Sequence, residues 1–249
     1  MADWNDPQRT RPGFGSAPGL DSQVAEGTTF DAGLRKHMLS IYNYMASGIL
    51  LTGVVALMFA RSGMAATVLG GGGLMSWVIM LAPLGFVFAM SFGRNKFSTP
   101  TLQAMFWGFA IAMGLSLSSI FLVYTGESIA ATFFATAGAF AGLSLYGYTT
   151  KKDLSGMGTF LIMGVVGLFI AMILNMFLQS SGLSLAISAI GVLIFAGLTA
   201  YDTQRLKTEY QHLRGTEFAG KAIILGALSL YLDFINMFLF LLRFMGNRE

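Results

Sequence analysis

The fold class that this sequence predicts is an all-α integral membrane protein, a bundle of seven transmembrane helices. Three observations carry that expectation. Of the 249 residues 55% are hydrophobic and only 11% are charged, where a soluble protein carries about 25% charged residues. From Met38 onward seven apolar segments recur, at roughly 38–60, 74–92, 101–124, 128–148, 157–178, 183–204 and 220–243. Each supplies the ~20 helical residues that cross a bilayer core, and at that length helices satisfy every backbone group inside lipid.

Residues 1–36 precede the first span and are rich in Gly, Pro and Asp, so they are expected to form a disordered tail ahead of a transmembrane domain over 37–249. They contain no apolar core of a cleavable signal peptide, which leaves targeting to the first span. Gly70–Gly73, between the first and second spans, resembles a phosphate loop. It is followed by Leu74-Met75 rather than Lys-Ser/Thr, so it reads as a turn. The second span ends at Arg94. The third carries Gly108, Ala112, Ser116 and Ser119 at three- and four-residue steps, and the fourth carries Ala131, Ala135, Gly138 and Gly142. Such stripes let helix backbones approach closely in lipid, and helix packing accounts for them. Glu127 opens the fourth span, where the helix N-terminal dipole favours a carboxylate. The connections Arg61–Gly73, Gly93–Pro100, Thr125–Glu127, Thr149–Gly156 and Gln179–Gly182 are short, so the helices they join are expected to be antiparallel neighbours.

Orientation follows from the basic residues. With the N-terminus in the cytoplasm, inner segments hold Arg9, Arg11, Arg35, Lys36, Arg94, Lys96, Lys151, Lys152, Arg205, Lys207, Arg214 and Lys221. Outer segments hold Arg61, Arg243 and Arg248, so twelve of the 15 basic residues lie inside. The seventh segment either spans, leaving the C-terminus outside, or re-enters and takes Arg243 and Arg248 back in. The net charge of +3 is small and dispersed, which argues against a nucleic-acid surface. With no cysteine, thiolate metal sites and cysteine nucleophiles are excluded. His37 and His212 stand alone in polar segments without a second ligand at helical spacing, so no resident metal or cofactor is expected.

The informative residues are two aspartates near the end of the chain. On the seventh span Ala222, Gly226, Ser229, Asp233 and Asn236 alternate steps of four and three, forming one small, polar stripe that turns Asp233 inward. On the sixth, Ser188, Ala196, Thr199 and Asp202 lie on roughly one face. Gly215 is a helix stop between them. If the sixth helix continues to about Arg214, Asp202 lies about 18 Å below the turn, and Asp233, counted from about Ala219, about 21 Å below it. The two depths agree within a helical turn, so the carboxylates can face each other. A poorly solvated pair shares a proton rather than ionising twice, which makes it a proton sensor or cation gate. Arg94 is the candidate cationic partner, the alternative being an interfacial anchor.

Leu145-Tyr146-Gly147-Tyr148-Thr149-Thr150-Lys151-Lys152-Asp153-Leu154-Ser155, then Tyr201-Asp202-Thr203-Gln204, then Leu230-Tyr231-Leu232-Asp233-Phe234-Ile235-Asn236 resemble the Bax inhibitor-1 family, in particular its bacterial YccA-like branch. The likeness covers the chain from about residue 30 onward. It implies a last helix at the centre of the other six. It also implies a pH-sensitive calcium leak of the inner membrane, gated by the pair that Asp202 and Asp233 match, with an Arg from the second helix for which Arg94 stands. Some members carry an acid within the second helix, and this sequence has none there. The branch is further associated with a membrane-bound ATP-dependent (AAA) protease. Calcium takes six to eight oxygens, so Asp202 and Asp233, with Ser229, Asn236 and Thr199 along the stripe, would hold it weakly and transiently, as a leak requires. Two further readings compete: a non-transporting regulator of a membrane partner, and an intramembrane aspartyl protease. The second acid stands in Leu230-Tyr231-Leu232-Asp233 rather than Gly-x-Gly-Asp, which argues against catalysis.

Overall fold

The computed structural model describes residues 20–247, with side chains from Ala32 onward. Among the described residues there is no strand, and seven helices are long and apolar enough to cross a membrane. In chain order the helices are α1 (Leu20–Arg61), α2 (Met64–Gly70), α3 (Leu74–Gly93), α4 (Thr99–Leu117), α5 (Gly126–Thr149), α6 (Ser155–Leu178), α7 (Ser181–Leu213) and α8 (Phe218–Met245). All but the short α2 are spans, and a 3-10 turn, Ser118–Leu122, extends α4. The chain divides into a first unit ending at Lys36 and a second, His37–Glu249, that contains the bundle.

Helix α1 begins at Leu20, inside the segment whose composition suggests a disordered tail. No proline interrupts 20–36, and its Ala, Leu, Glu, Gln, Lys and Arg residues are good helix formers. The rest of the expected tail, residues 1–19, lies outside the described residues. The segment 61–73 is likewise more ordered than a plain turn: α2 occupies most of it, and Gly72, with φ +62°, turns the chain into α3.

The helix starts follow capping chemistry. Ser98, Thr125 and Ser180 accept hydrogen bonds from the amides of Thr101, Ser128 and Leu183 at 3.4, 3.3 and 3.3 Å, meeting donors that have no intrahelical acceptor. Pro100 sits in the first turn of α4, where its missing N–H costs nothing. Glu127 lies in the first turn of α5. At the other end of the chain α7 runs on past Arg205, Lys207 and Glu209 to Leu213, and Gly215, with φ +78°, reverses it into α8.

Helix α8 is the axis. In its most apolar stretch 67% of the residues are buried, against 11% to 39% for the other six spans. It is one unbroken helix that crosses and does not re-enter. Its start lies beside the second loop, where Lys221 Nζ donates to the Arg94 carbonyl at 3.4 Å. Its end lies at the opposite face, where Asn247 accepts from the Thr125 amide at 3.2 Å and donates to Ser128 Oγ at 2.9 Å.

Packing around α8 is aromatic and close. Tyr231 lies edge-on to Phe109 and Phe106 of α4, at 4.9 and 6.3 Å between ring centres. Its hydroxyl is 2.7 Å from Thr52 Oγ1 of α1, which itself donates to the Ala110 carbonyl at 2.8 Å. Thr52 thus accepts from Tyr231, and three helices are joined through one hydroxyl. Phe234 meets Phe133 and Phe140 of α5 at 5.6 Å each. Bulky residues also coat the outside: Phe92, Phe134, Phe160 and Phe177 are 73% to 82% exposed, as a lipid-facing surface requires.

The two small-residue stripes part company here. On α4 the stripe is packed, with Gly108 facing Phe86 of α3 and Ala112 buried. On α5, Ala131, Ala135, Gly138 and Gly142 are exposed, and a methyl group at either glycine would meet nothing within 4 Å. The buried row of α5 is instead Ile129, Thr132, Thr136, Phe140, Ser144 and Gly147. Gly147 lets α5 approach the backbone of α7, since a methyl there would overlap the Ala200 carbonyl.

Candidate functional site

The three sequence motifs converge at the crossing of α7 with α8. Gln204 grips the connection between α5 and α6: its Nε2 donates to the Lys152 carbonyl at 2.7 Å, and its Oε1 accepts from the Leu154 amide at 2.8 Å. Lys207 Nζ donates to the Tyr148 carbonyl at 2.8 Å and lies 5.2 Å from the Tyr148 ring centre. Tyr201 rests on Gly158 of α6, leaving no room for a side chain there. These contacts fix the rotation of α7 and thereby aim Asp202 at α8.

Asp202 is buried, 5% exposed, and is held from both helices. Ser229 Oγ of α8 donates to its Oδ2 at 2.6 Å. Arg205, one turn on in α7, pairs with its Oδ1 at 3.3 Å and donates to Ser229 Oγ at 3.1 Å. The hydroxyl therefore accepts from the guanidinium and donates to the carboxylate. Asp233 is also 5% exposed and sits one helical turn beyond Ser229 on the same helix. Asp202 and Arg205 both lie within electrostatic reach of it, and its Oδ2 is buried without a hydrogen bond. The geometry thus brings the two aspartates to one crossing, where Ser229 bonds Asp202 and Asp233 follows one turn later on the same helix.

The cation at this crossing is Arg205, not Arg94. Arg94 makes no ion pair with either aspartate, and its backbone carbonyl accepts from Lys221. The reason lies in helix geometry, since residues three apart share a face and Arg205 reaches Asp202 without leaving α7. The spacing Asp202-x-x-Arg205 was the available signal. Of the other stripe residues, Thr199 is fully buried with its hydroxyl donating to the Phe195 carbonyl at 2.8 Å. Asn236 Nδ2 donates to the Leu232 carbonyl at 2.8 Å. Each hydrogen bonds back into its own helix. The polar stripe of α8 is also less special than its spacing suggests, because nearly every face of that helix is buried.

His37, expected in a polar segment, is buried and lies 5.0 Å from the Tyr210 ring, ring centre to ring centre. Among the described residues no three His, Cys, Asp or Glu side chains gather where a metal ion could sit.

Above the crossing, on the side of the α7–α8 turn, a cavity of about 940 Å³ opens. Arg94, Lys151, Lys152, Arg205 and Lys207 line it, together with Asp153, Glu209 and His212. Asp153 belongs to the loop before α6. Its carboxyl is held below the usual carboxylate range by the Ser155 side chain and then by the Ser155 amide, which donates to Oδ1 at 2.9 Å. A depressed folded value means that this contribution is present above the ordinary Asp range and is lost as pH falls through the folded value. Acidification through that range is therefore expected to fray the first turn of α6, read as a lower protection factor for the Ser155 amide. Asp153→Ala should show the lower protection already at neutral pH; an unchanged protection factor would mean that the Asp153 carboxylate does not hold that amide.

A family model described as an inhibitor of apoptosis-promoting Bax1 matches residues 34–249. The inner membrane protein YbhL of Escherichia coli is 46% identical over 220 residues, which cover 88% of this chain and 94% of that protein. A protein of Caulobacter vibrioides is 49% identical over 231 residues, covering 88% of this chain and 92% of its own. The protein RP147 of Rickettsia prowazekii is 46% identical over 237 residues, covering 91% and 95%.

Proposed function

This chain belongs to the Bax inhibitor-1 family, and on that premise we propose that it is a pH-sensitive cation leak of the bacterial inner membrane. The ion is calcium, and the gate is the pair Asp202 and Asp233 sharing a proton. The single observation behind this reading is the Asp202–Ser229–Arg205 clasp one turn from Asp233, at the crossing of α7 with the central helix. An ionised Asp202 holds α7 to α8 through charge-assisted hydrogen bonds, which are stronger than neutral ones. Protonation removes that attraction and loosens the crossing, a local charge event acting on a packed interface. The inner-membrane assignment rests on the name of YbhL. The cytoplasmic N-terminus rests on the basic residues that the loops at the α7–α8 end carry.

Calcium is cargo in this reading and never a resident ligand. Asp202, Asp233 and Ser229 offer fewer oxygens than calcium's six to eight, which suits an ion that must leave. The cationic cavity raises the barrier to cation entry and keeps the leak small. No catalysis is assigned. Protein reconstituted in liposomes with a trapped calcium dye should pass calcium across pH 6 to 8, and Asp233→Asn and Asp202→Asn should each abolish the pH dependence. Flux that is absent, or present and unaltered in both variants, would end this reading.

A second reading, a non-transporting regulator of a membrane-bound ATP-dependent (AAA) protease, draws on the exposed small-residue face of α5. Such a face admits another helix at close range. Photo-crosslinking from Gly138 in native membranes, with flux absent, would select it.

A further inference from the structure

We propose that the cavity at the α7–α8 turn binds a phosphate-bearing anion. Its lining holds five cationic side chains (Arg94, Lys151, Lys152, Arg205, Lys207) and two carboxylates (Asp153, Glu209). Several of these are already committed. Asp153 caps α6, Lys207 bonds the Tyr148 carbonyl, and Arg205 is divided between Asp202 and Ser229. What remains is Arg94 at the end of α3 with Lys151 and Lys152 before α6. Their side chains are exposed and have no ion pair or hydrogen bond among the described residues.

Three cations around one cavity repel each other unless an anion or salt screens them. A loop and a helix end that are fixed by backbone bonds cannot easily spread them apart. Lys152 is anchored through its carbonyl to Gln204, and Arg94 through its carbonyl to Lys221. A phosphate group answers this arrangement better than a carboxylate, because its several charged oxygens can accept from more than two donors at once. At about 940 Å³ the cavity is large enough for a headgroup or a small phosphate ester. Its position at a membrane–water boundary allows either source, and basic pockets between spans favour anionic headgroups.

The occupant would also draw on Arg205, which lines the same cavity and holds Asp202. Anion and carboxylate then compete for one guanidinium. On the leak reading, an occupant both neutralises the cationic entrance and loosens the clasp. That regulatory consequence rests on the proposed function; binding does not.

The test uses the full-length protein in phosphatidylcholine nanodiscs and reads no ion flux. Inorganic pyrophosphate is titrated calorimetrically, and in parallel thermal unfolding is followed as phosphatidylglycerol replaces part of the phosphatidylcholine. A pyrophosphate isotherm identifies a soluble source, and a rise in unfolding temperature with phosphatidylglycerol identifies a lipid source. Either response should weaken at least about tenfold in the triple variant Arg94→Gln, Lys151→Gln, Lys152→Gln. It should persist in Arg61→Gln, Arg243→Gln, whose charges lie at the other face. Asp202→Asn should strengthen it by freeing Arg205. No response in the wild-type protein, or an equal response in the triple variant, would overturn the site.

Discussion

Replacing Gly147 by valine will separate α5 from α7 and destabilise the bundle by about 3 kcal/mol. The added methyl groups meet the backbone carbonyl of Ala200, which cannot rotate away as a side chain would. One helix must therefore shift, and Ala200 lies only two residues before Asp202, so the aim of that carboxylate shifts too. Gly138→Val on the same helix supplies the contrast, since nothing lies within 4 Å of the position. Denaturation by SDS titration in mixed micelles should find Gly147→Val weaker and Gly138→Val near wild type. Equal midpoints for the two would show that the approach of α5 to α7 has no energetic weight.

Ser229→Ala is expected to open the α7–α8 crossing further than Arg205→Gln. The hydroxyl bond to Asp202 is 2.6 Å long, part-buried and charge-assisted, a class worth about 1.5–3 kcal/mol. The Arg205 side chain is 43% exposed, and exposed ion pairs contribute about 0.2–1 kcal/mol. The Ser229 contribution is present while Asp202 is ionised and is lost as acid protonates it. The gap between the two variants should therefore be wide at neutral pH and close on acidification. Stability in mixed micelles reads it directly, and on the leak reading resting calcium flux follows the same order. If Arg205→Gln proved the more severe, the clasp would be ionic and Ser229 a bystander.

Much of this arrangement was legible in the chain. The seven spans follow from segment length, and the convergence of Asp202 with α8 follows from counting outward from Gly215, whose positive φ does make the turn. Two features were hidden, each for a physical reason. Asp202 takes its cation from its own helix, and sequence spacing permits that contact without saying whether a cation from another helix wins. The stripe Ala131, Ala135, Gly138 and Gly142 has the spacing of a packed face yet lies exposed, while Thr132, Thr136 and Ser144 face inward. In water, burial sorts apolar from polar. In lipid both faces of α5 are acceptable to their surroundings, so periodicity fixes a face without choosing its neighbour. Gly147 could have been singled out only by the motif that contains it.

The position of α8 has a consequence for biosynthesis. The span with the largest buried share follows the other six out of the ribosome. The six spans made before it can insert one by one, yet the residues that await Tyr231, Phe234 and Phe238 have nothing to close upon until α8 is made. Thr52 of α1 waits longest for its partner hydroxyl. Closure of the core therefore waits on α8, with an interval in which an inserted but unclosed bundle exposes its inner faces to lipid and to other helices. A chain cut short after α7 would be a membrane protein without a centre, and quality control would meet it in that form.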